Sequence, residues 1–369
     1  MRVGILGGGQ LGRMLALAGY PLGLEFLCLD PQRHAPAGAV APLLHGEFTD
    51  RRLLTRLARA CDVITFDWEN VPVASLRALS AAHGGRISPP ITALATGQDR
   101  VAEKRLFERL GIPTTRWCAV GSRAALARAL ARVGVPGVLK TRRLGYDGKG
   151  QALIRSATDA ERAWQRLSGV PLLYEEWIPF DCEVSIIGAR SARGEVAVYP
   201  LCGNVHGDGI LRLTLAPFGK ARWQSLAALY LKRVLAHFRY RGILAIEFFV
   251  RREQLIANEL APRVHNSGHW TIEGAVTSQF ENHLRAILDL PLGATRALGH
   301  SAMINLIGRL PQRRSVLALE GVHLHEYGKA PRPGRKVGHC TVVEPTSALR
   351  TSRARRLLRD LAVGARIPP

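Results

Sequence analysis

The sequence lacks any apolar run long enough to cross a bilayer, and its first strand-like segment already begins at residue 3. That start leaves no room for a signal peptide, so we expect a soluble, cytoplasmic protein. The six cysteines are scattered and form no C-x-x-C pair. Disulfide and zinc frameworks are therefore poor interpretations, and buried reduced thiols are the better one. The chain also contains no internal repeat and no low-complexity tract.

Acidic residues are scarce relative to basic ones. The chain has 29 Asp and Glu residues against 51 Lys and Arg, which gives a formal net charge of +22. Such an excess would suit nucleic-acid binding, because arginines neutralise backbone phosphates. However, the basic residues are spread along the chain and accompany no nucleic-acid-binding motif. We interpret them as an arginine-rich solvated surface, and we expect neither a nucleic-acid nor a membrane partner.

The chain does have enough apolar sequence for several domains, since 47% of its 369 residues are hydrophobic. In residues 1–97, strand-like runs alternate with helical patterns, which predicts a Rossmann-like α/β domain with a parallel sheet. Residues 98–295 have the α+β texture of a unit that clasps a nucleotide, and residues of about 118–178 would form its lid subdomain. Residues 296–369 contain a short strand among many turn residues and predict a small C-terminal domain.

Two glycine-rich segments point to different ligands. Residues 7–12 read Gly-Gly-Gly-Gln-Leu-Gly after a buried strand, and Asp30 ends the next apolar run. This pattern fits the G-x-G-x-x-G fingerprint of NAD-binding proteins, although any tight strand-to-helix turn favours the same glycines. Residues 141–151 form a second glycine-punctuated loop directly after Lys140. Backbone N–H groups that close on phosphate oxygens beside a lysine predict a nucleoside triphosphate instead.

Glu247 and Glu259 carry the most specific prediction that the residues alone allow. They lie in two apolar segments, so a hairpin centred on Glu253 would set them opposite each other on one face. Two opposed carboxylates repel each other unless a positive charge lies between them, and magnesium carrying nucleotide phosphates would supply that charge. The alternative is a solvated face on which both glutamates meet water. The strongly apolar neighbours of both residues favour the metal.

The segment Glu-Glu-Trp-Ile at residues 175–178 follows a buried strand and precedes Pro179. A hinge at this place could pair with an adenine edge through its backbone, and Ile178 could cover the adenine face, but an ordinary strand end fits as well. Glu183, a little further on, could accept hydrogen bonds from ribose hydroxyls or form an exposed salt bridge.

Two later segments are rich in basic and polar residues. Residues 262–271 bring one arginine, one asparagine and two histidines close to Glu259, where a small anion could be held. His265 and His269 also have the spacing of a zinc pair, but no third or fourth ligand is evident. Residues 328–339 contain four Lys or Arg side chains between prolines and glycines, and could form either a phosphate clamp or a basic surface loop.

Together, these motifs resemble those of the 5-(carboxyamino)imidazole ribonucleotide synthases, a purine-biosynthesis family of the ATP-grasp superfamily. The resemblance covers almost the whole chain and rests on residues 7–14, 69–72, 98–100, 145–151, 258–271, 303–308 and 334–339. It implies an ATP-grasp fold with an N-terminal pre-ATP-grasp domain. It further implies a carbon–nitrogen ligase that carboxylates 5-aminoimidazole ribonucleotide with bicarbonate, through carboxyphosphate. ATP and magnesium, for which manganese could substitute, would be the cofactors, and the protein would be a homodimer.

The resemblance also implies roles for individual positions. ATP contacts would be made by Arg100, Lys140, Gly145, Tyr146, Asp147, Gly148, Lys149, Gly150, Gln151, Glu175, Glu176, Trp177, Ile178, Glu183, His206, Asn258 and Glu259. Metal ligands would be Glu247 and Glu259. Ribonucleotide contacts would be made by Gly9, Gln10, Leu11, Glu69, Tyr146, Asn266, Lys329, Arg335 and Lys336. Asp147, Arg263, His265 and Lys329 would take part in catalysis, with Asp147 orienting or deprotonating the amine.

Some positions depart from the family pattern. Asp67-Trp68 stands where Glu-Phe is usual, and Val264 replaces a common proline, which would have fixed φ before His265. Neither change removes a charged group that the chemistry needs. Three other functions remain open: a ligase with another acceptor, such as a formate-dependent glycinamide ribonucleotide transformylase, an NAD oxidoreductase, and a basic nucleic-acid-binding protein.

Overall fold

The computed structural model describes residues 1–82, 84, 86–145 and 150–367, and this part of the chain contains three β-sheets. Tyr146, Asp147, Gly148 and Lys149 lie outside the described residues, so the roles predicted for them stay predictions. Among the described residues, no helix combines the length and the apolar character that crossing a membrane requires.

The first sheet is parallel and has the strand order β3-β2-β1-β4. Val3 and Ile5 of β1 pack in one buried cluster with Leu15, whereas Leu6 packs in another cluster with Leu57. Helices therefore cover both faces of the sheet, as the alternation of strands and helices predicts. The elements are β1 (Arg2–Leu6), α1 (Gln10–Gly19), β2 (Glu25–Asp30), β3 (Leu43–His45), α2 (Arg51–Ala60), β4 (Val63–Phe66) and α3 (Val73–Ala82).

The second sheet is antiparallel and has the order β5-β8-β6-β7. Leu139 and Tyr174 are fully buried on it, and they pack with Leu126 and Ala163 from the two covering helices. Two helices precede this unit. The elements are α4 (Ile91–Gly97), α5 (Arg100–Arg109), β5 (Trp117–Val120), α6 (Arg123–Val133), β6 (Gly137–Thr141), β7 (Gln151–Ile154), α7 (Ala157–Leu167) and β8 (Leu172–Glu176).

The third sheet is the largest, with the order β14-β13-β9-β11-β12-β15-β17-β16 and with β10 paired to β9. The segment of the chain that forms this sheet and its helices begins with β9 (Cys182–Arg190), β10 (Val196–Val198), β11 (Cys202–Gly207), β12 (Ile210–Ala216), α8 (Ala221–His237), β13 (Gly242–Arg251) and β14 (Gln254–Ala261). It continues with α9 (Thr271–Gly274), α10 (Gln279–Ile287), β15 (His300–Ile307), α11 (Arg313–Leu317), β16 (His323–Glu326), β17 (Lys336–Glu344) and α12 (Ser347–Asp360).

The C-terminal region differs from its sequence-based description. The single strand expected near residue 303 is β15, and β16 and β17 extend the same large sheet beside it. His339 and Thr341 of β17 are fully buried although they are polar. Because these buried polar residues interrupt the apolar alternation of β17, the sequence alone predicts part of a turn-rich loop there instead of a strand.

One histidine joins the first domain to the large sheet. The Nδ1 atom of His283 accepts a hydrogen bond from Ile243 N–H at 3.2 Å, so the ring proton lies on Nε2. Nε2 lies 2.8 Å from Thr65 Oγ1 on the parallel sheet. One buried cluster also contains Leu15 and Phe26 together with Phe280 and Leu284. The two units therefore share a core, and their edges form opposite walls of one cavity.

Candidate active site

A cavity of about 820 Å³ is lined by residues from all three sheets. Its wall brings together most of the predicted site residues: Gly9, Gln10, Leu11, Glu69, Arg100, Lys140, Gln151, Trp177, Glu183, His206, Glu247, Asn258, Glu259, Arg263, His265, Asn266, Lys329, Arg335 and Lys336. Of the described site residues, Gly145, Gly150, Glu175, Glu176 and Ile178 lie outside this wall. Segments far apart in sequence thus form one site.

The predicted pairing of Glu247 with Glu259 is confirmed, but for a different geometric reason. The two residues of the hairpin turn are Arg252 and Glu253, both with positive φ. The turn is therefore centred between them and not on Glu253. An uninterrupted ladder from this turn would set Glu247 opposite Asn258. A β-bulge next to Glu247 adds one residue to β14 and restores Glu259 as its partner. As a result, Asn258 and Glu259 both line the cavity.

The glutamate pair is held in an environment that disfavours negative charge. Burial raises the pKa of Glu247, and with the opposing effect of His206 and the added repulsion from Glu259 and Glu183 it lies at about 7. His206 Nδ1 lies 2.8 Å from Glu183 Oε2. Burial lowers the pKa of His206. The carboxylates of Glu183 and Glu247 outweigh this effect and bring that pKa above its ordinary value. An additional cation would relieve this repulsion between carboxylates.

The donor set fits a hard divalent cation that is shared with a ligand. Glu247, Glu259 and Asn258 offer carboxylate and amide oxygens, which are ligands of the kind that Mg²⁺ prefers. Within the described ranges, no group of three or more His, Cys, Asp or Glu side chains could hold a metal ion by itself. A cation here would therefore complete its coordination with water or with phosphate oxygens.

The carboxylate of Glu175 is engaged by two lysines, while the contact with adenine predicted for this residue stays a prediction. Its Oε1 atom pairs with Lys140 Nζ, and its Oε2 atom lies 2.9 Å from Lys104 Nζ and 2.8 Å from Thr115 Oγ1. Burial alone would raise the pKa of Glu175, but the two ammonium groups hold it below its usual range. The carboxylate therefore positions Lys140 at the cavity wall. Sequence reasoning missed Lys104, which carried no local signal.

The hinge predicted for adenine stays a prediction, and two of its backbone N–H groups already have partners. Glu175 and Glu176 belong to β8, and the N–H groups of Glu176 and Trp177 already donate to Arg116 O at 2.9 Å and Pro136 O at 3.1 Å. Ile178 is buried and is not part of the cavity wall described here, so its predicted contact with the adenine face stays a prediction. Apolar side chains that line the cavity include Val138, Leu153, Trp177 and Phe249. Phe249 is itself stacked on Phe180 with ring centroids 4.7 Å apart.

The N-terminal glycine motif is filled by the protein's own carboxylates. Gly12 N–H donates to Asp67 Oδ2 at 2.9 Å, and Gly8 N–H donates to Asp30 Oδ2 at 2.6 Å. A Cβ atom on Gly7 would come 1.6 Å from Asp67 Oδ1, so this glycine is needed for the close approach. Burial raises the pKa of Asp67 to about 6, while the Gly12 N–H lowers it. Because these donors are occupied, the start of α1 is not arranged to receive the pyrophosphate of NAD.

The two histidines of residues 262–271 do not form a zinc pair. His265 Nδ1 lies 2.8 Å from Ser267 Oγ, and its Nε2 atom lies 3.6 Å from Glu247 Oε1 at the cavity. His269 is fully buried instead, and its ring lies 5.1 Å from that of His339. Burial and the neighbouring Arg263 keep the pKa of His265 well below its usual value, so its ring is neutral.

Part of the cavity wall is cationic. Lys329, Arg335 and Lys336 line it, and Lys329 Nζ donates to Gln10 Oε1 from the N-terminal domain. Arg263 donates to Glu69 Oε2 at 2.7 Å across the same domain boundary. Such a wall is suited to a phosphate group, because several N–H donors can meet its oxygens at once.

Comparison with known proteins gives three matching family descriptions along the chain. Residues 1–98 match a ribonucleotide synthetase preATP-grasp domain, residues 105–280 an ATP-grasp domain, and residues 301–353 a phosphoribosylaminoimidazole carboxylase C-terminal domain. The N5-carboxyaminoimidazole ribonucleotide synthase of Pseudomonas aeruginosa is 49% identical over 342 residues, covering 93% of this chain and 94% of that protein. That of Vibrio cholerae is 44% identical, covering 93% of this chain and 90% of its own length.

Solved structures give the same result. The N5-carboxyaminoimidazole ribonucleotide synthetase of Thermus thermophilus has a TM-score of 0.93 and 51% identity, covering 97% of this chain and 98% of its own. An Aspergillus clavatus N5-carboxyaminoimidazole synthase, solved in complex with ADP and 5-aminoimidazole ribonucleotide, has a TM-score of 0.91 and 31% identity. That match covers 98% of both chains.

Proposed function

The chain belongs to the N5-carboxyaminoimidazole ribonucleotide synthases, a family of ATP-grasp ligases in purine biosynthesis, and we propose on this premise how its cavity works. ATP, bicarbonate and 5-aminoimidazole ribonucleotide would bind in it together. The products would be N5-carboxyaminoimidazole ribonucleotide, ADP and phosphate. The observation that supports this proposal is that Lys140, the glutamate pair and the cationic wall line one cavity.

The nucleotide would bind at the side of the cavity formed by the second sheet. Val138, Leu153, Trp177 and Phe249 offer apolar surfaces for a purine, and Lys140 and Arg100 lie on the same wall to receive phosphate oxygens. Glu247 and Glu259 would hold magnesium, which supplies positive charge to those oxygens when it is bound. Glu175 pairs with Lys140 and orients it for the same purpose.

Bicarbonate is a poor electrophile because its carbon bears anionic oxygens. We propose that phosphoryl transfer from ATP converts it to carboxyphosphate, with Lys140 stabilising charge on the transferring group. Arg263 and the neutral His265 ring, both at the cavity, would hold the small anion beside the glutamates. Carboxyphosphate would then break down to phosphate and carbon dioxide, whose carbon is captured by the exocyclic amine of the ribonucleotide.

The ribonucleotide would occupy the side formed by the first domain and the cationic wall. Lys329, Arg335 and Lys336 are placed to meet its phosphate, while Gln10 and Asn266 offer amide groups to the rest of the molecule. Water must be kept from carboxyphosphate. The loop of residues 145–151 would exclude it by closing over the cavity. Asp147 of that loop would orient or deprotonate the amine.

Two further properties belong to the same proposal. The cysteines are free, two of them only partly buried, which suits a reducing cytoplasm. We also propose a homodimer, on the strength of the family resemblance.

An ADP-release assay tests the proposal. ADP formation should require bicarbonate and should rise when 5-aminoimidazole ribonucleotide is added, with carboxylated ribonucleotide as the accompanying product. Release that ignores this ribonucleotide but responds to glycinamide ribonucleotide and formate would assign a different acceptor to the same nucleotide machinery.

A further inference from the structure

We propose that Gln279 is a positioning residue of this enzyme: its side-chain amide fixes the backbone of His265 and thereby sets where the His265 imidazole stands in the cavity. Gln279 begins α10 and does not line the cavity wall described above. The inference rests on the proposed function, in which His265 and Asn266 enclose bicarbonate and the ribonucleotide.

The amide binds both backbone groups of a single residue. Gln279 Nε2 donates to His265 O at 2.7 Å, and His265 N–H donates to Gln279 Oε1 at 3.0 Å. This is the pattern by which a neighbouring strand would hold a residue, but here one buried side chain provides it. Both peptide groups that flank the His265 side chain are thus held in place.

Gln279 is also anchored through its own backbone N–H. Gln279 N–H donates to Thr271 Oγ1 at 2.9 Å, and that hydroxyl donates to Gly268 O at 2.6 Å. A Cβ atom on Gly268 would come 2.5 Å from Gln279 Oε1 and 2.7 Å from Ile187 Cδ1. Gly268 therefore leaves the space that the amide occupies, and Gln279 itself is fully buried. An amide fixed in this way has little freedom to follow a moving loop.

The imidazole has a defined direction once its backbone is fixed. Ser267 N–H donates to His265 Nδ1 at 3.4 Å, which places the ring proton on Nε2. Nε2 faces Glu247 Oε1 at 3.6 Å. Asn266, the next residue, exchanges two hydrogen bonds with Asn305, of 3.1 and 2.8 Å. A shift of the His265 backbone would therefore move both an imidazole N–H and an amide that line the cavity.

Two substitutions at Gln279 test this role. Gln279→Glu keeps the shape and the acceptor for His265 N–H, but replaces the donor to His265 O with an oxygen. Gln279→Met removes both bonds and keeps an unbranched side chain. We expect kcat/KM for the ribonucleotide to fall by about 10²-fold, because small misplacements of reacting groups have effects of that order. More ADP should form per carboxylated ribonucleotide, since a displaced loop admits water, whereas KM for ATP should change less than about twofold.

Asn282→Asp is a matched control on the same helix. Asn282 is also fully buried, and its amide also clamps one residue: Gly293 N–H donates to Oδ1 at 2.8 Å, and Nδ2 donates to Gly293 O at 3.1 Å. Neither Asn282 nor Gly293 lines the cavity. This variant should lose thermal stability much as Gln279→Glu does, but it should keep the wild-type ratio of ADP to product.

The possible outcomes are distinct. A folded Gln279→Met with the wild-type ratio and kcat/KM would overturn the inference. Failure of both Gln279 variants to fold, while Asn282→Asp folds, would also overturn it, because Gln279 would then serve the fold rather than the site. A wild-type protein whose ADP release ignores the ribonucleotide would instead overturn the proposed function, and the inference would fall with it.

Discussion

Glu247 and Glu259 face each other because Asn258 is an extra residue in β14. Side chains alternate between the two faces of a strand, so if Asn258 were paired regularly with Glu247 instead of bulging, Glu259 would turn to the opposite face of the hairpin. The bulge leaves the turn unchanged and brings two carboxylates and one amide to the same wall. The bulged placement of Asn258 thus creates the acidic part of the cavity wall.

Removing one of these carboxylates should impair use of the metal. For Glu247→Gln we expect kcat to fall on the order of 10²-fold, because charge on the transferring phosphoryl group is less well stabilised. The magnesium concentration that gives half the maximal rate should rise as well. Titration of ADP release with MgCl₂ measures both. Glu253→Gln, in the exposed turn of the same hairpin, is the control and should behave like wild type.

The same substitution should change how stability depends on pH when metal and nucleotide are absent. The folded pKa of Glu247 is raised to about 7, so between its ordinary value and pH 7 the folded state binds more protons than the unfolded state. Stability is therefore lost as pH rises through this range, by up to about 1.4 kcal/mol per pH unit. Glu247→Gln removes this loss, and its advantage over wild type in urea denaturation should grow from pH 4.5 to pH 7. Parallel curves would contradict the shifted pKa.

His283 should contribute with the opposite sign. Burial lowers its pKa from 6.5 to about 3, so the unfolded state binds the extra proton in this range. The contribution of His283 to stability is complete above pH 6.5 and is lost as pH falls towards 3, at up to about 1.4 kcal/mol per unit. His283→Gln should flatten this part of the stability curve by one proton. Thr65→Ser, which keeps the hydroxyl partner, should leave the slope as it is in wild type.

The ion pairs behind Lys140 can be tested by removing their buried member. Lys104→Met leaves Glu175 with one ammonium partner instead of two, and we expect a loss of about 3–5 kcal/mol, typical of a broken buried pair. KM for ATP should also rise, since Lys140 would be held more tightly by the carboxylate. Adding Glu175→Gln removes the carboxylate that Lys104 and Lys140 share, so the loss in the double variant should be smaller than the sum of the two single losses. Urea denaturation of the single and double variants gives the coupling energy, and strictly additive losses would rule out this network.

Nucleotide choice can be read from tryptophan fluorescence. Trp177 lines the apolar side of the cavity, so a non-hydrolysable ATP analogue should quench its emission. NADH should not compete, because Asp67 and Asp30 occupy the N–H groups that would bind its pyrophosphate. Trp177→Phe should abolish the quenching without preventing ADP release. Saturable NADH binding that ATP does not displace would point to a second nucleotide site at α1.

Much of the fold could be predicted from local patterns. The helices Arg51–Ala60 and Arg123–Val133 and the strand Val63–Phe66 have the bounds that periodicity predicts. Lys104, Phe249 and Gln279 escaped prediction because their roles depend on partners that packing brings near. The two ion pairs of Glu175 escaped prediction for the same reason, since nothing in its neighbourhood along the chain shows that two lysines enclose it.

The sequence by itself determined the order of elements, two glycine-rich segments and a pair of glutamates, together with a resemblance strong enough to indicate the family. These features depend on residues close together in the chain, where side-chain periodicity and turn preferences act directly. Only the tertiary structure decided that Asp67 fills the start of α1, that Asn258 corrects the register of the hairpin, and that one cavity collects the reacting groups. Contacts of this kind arise from the packing of distant segments, which local preferences do not encode.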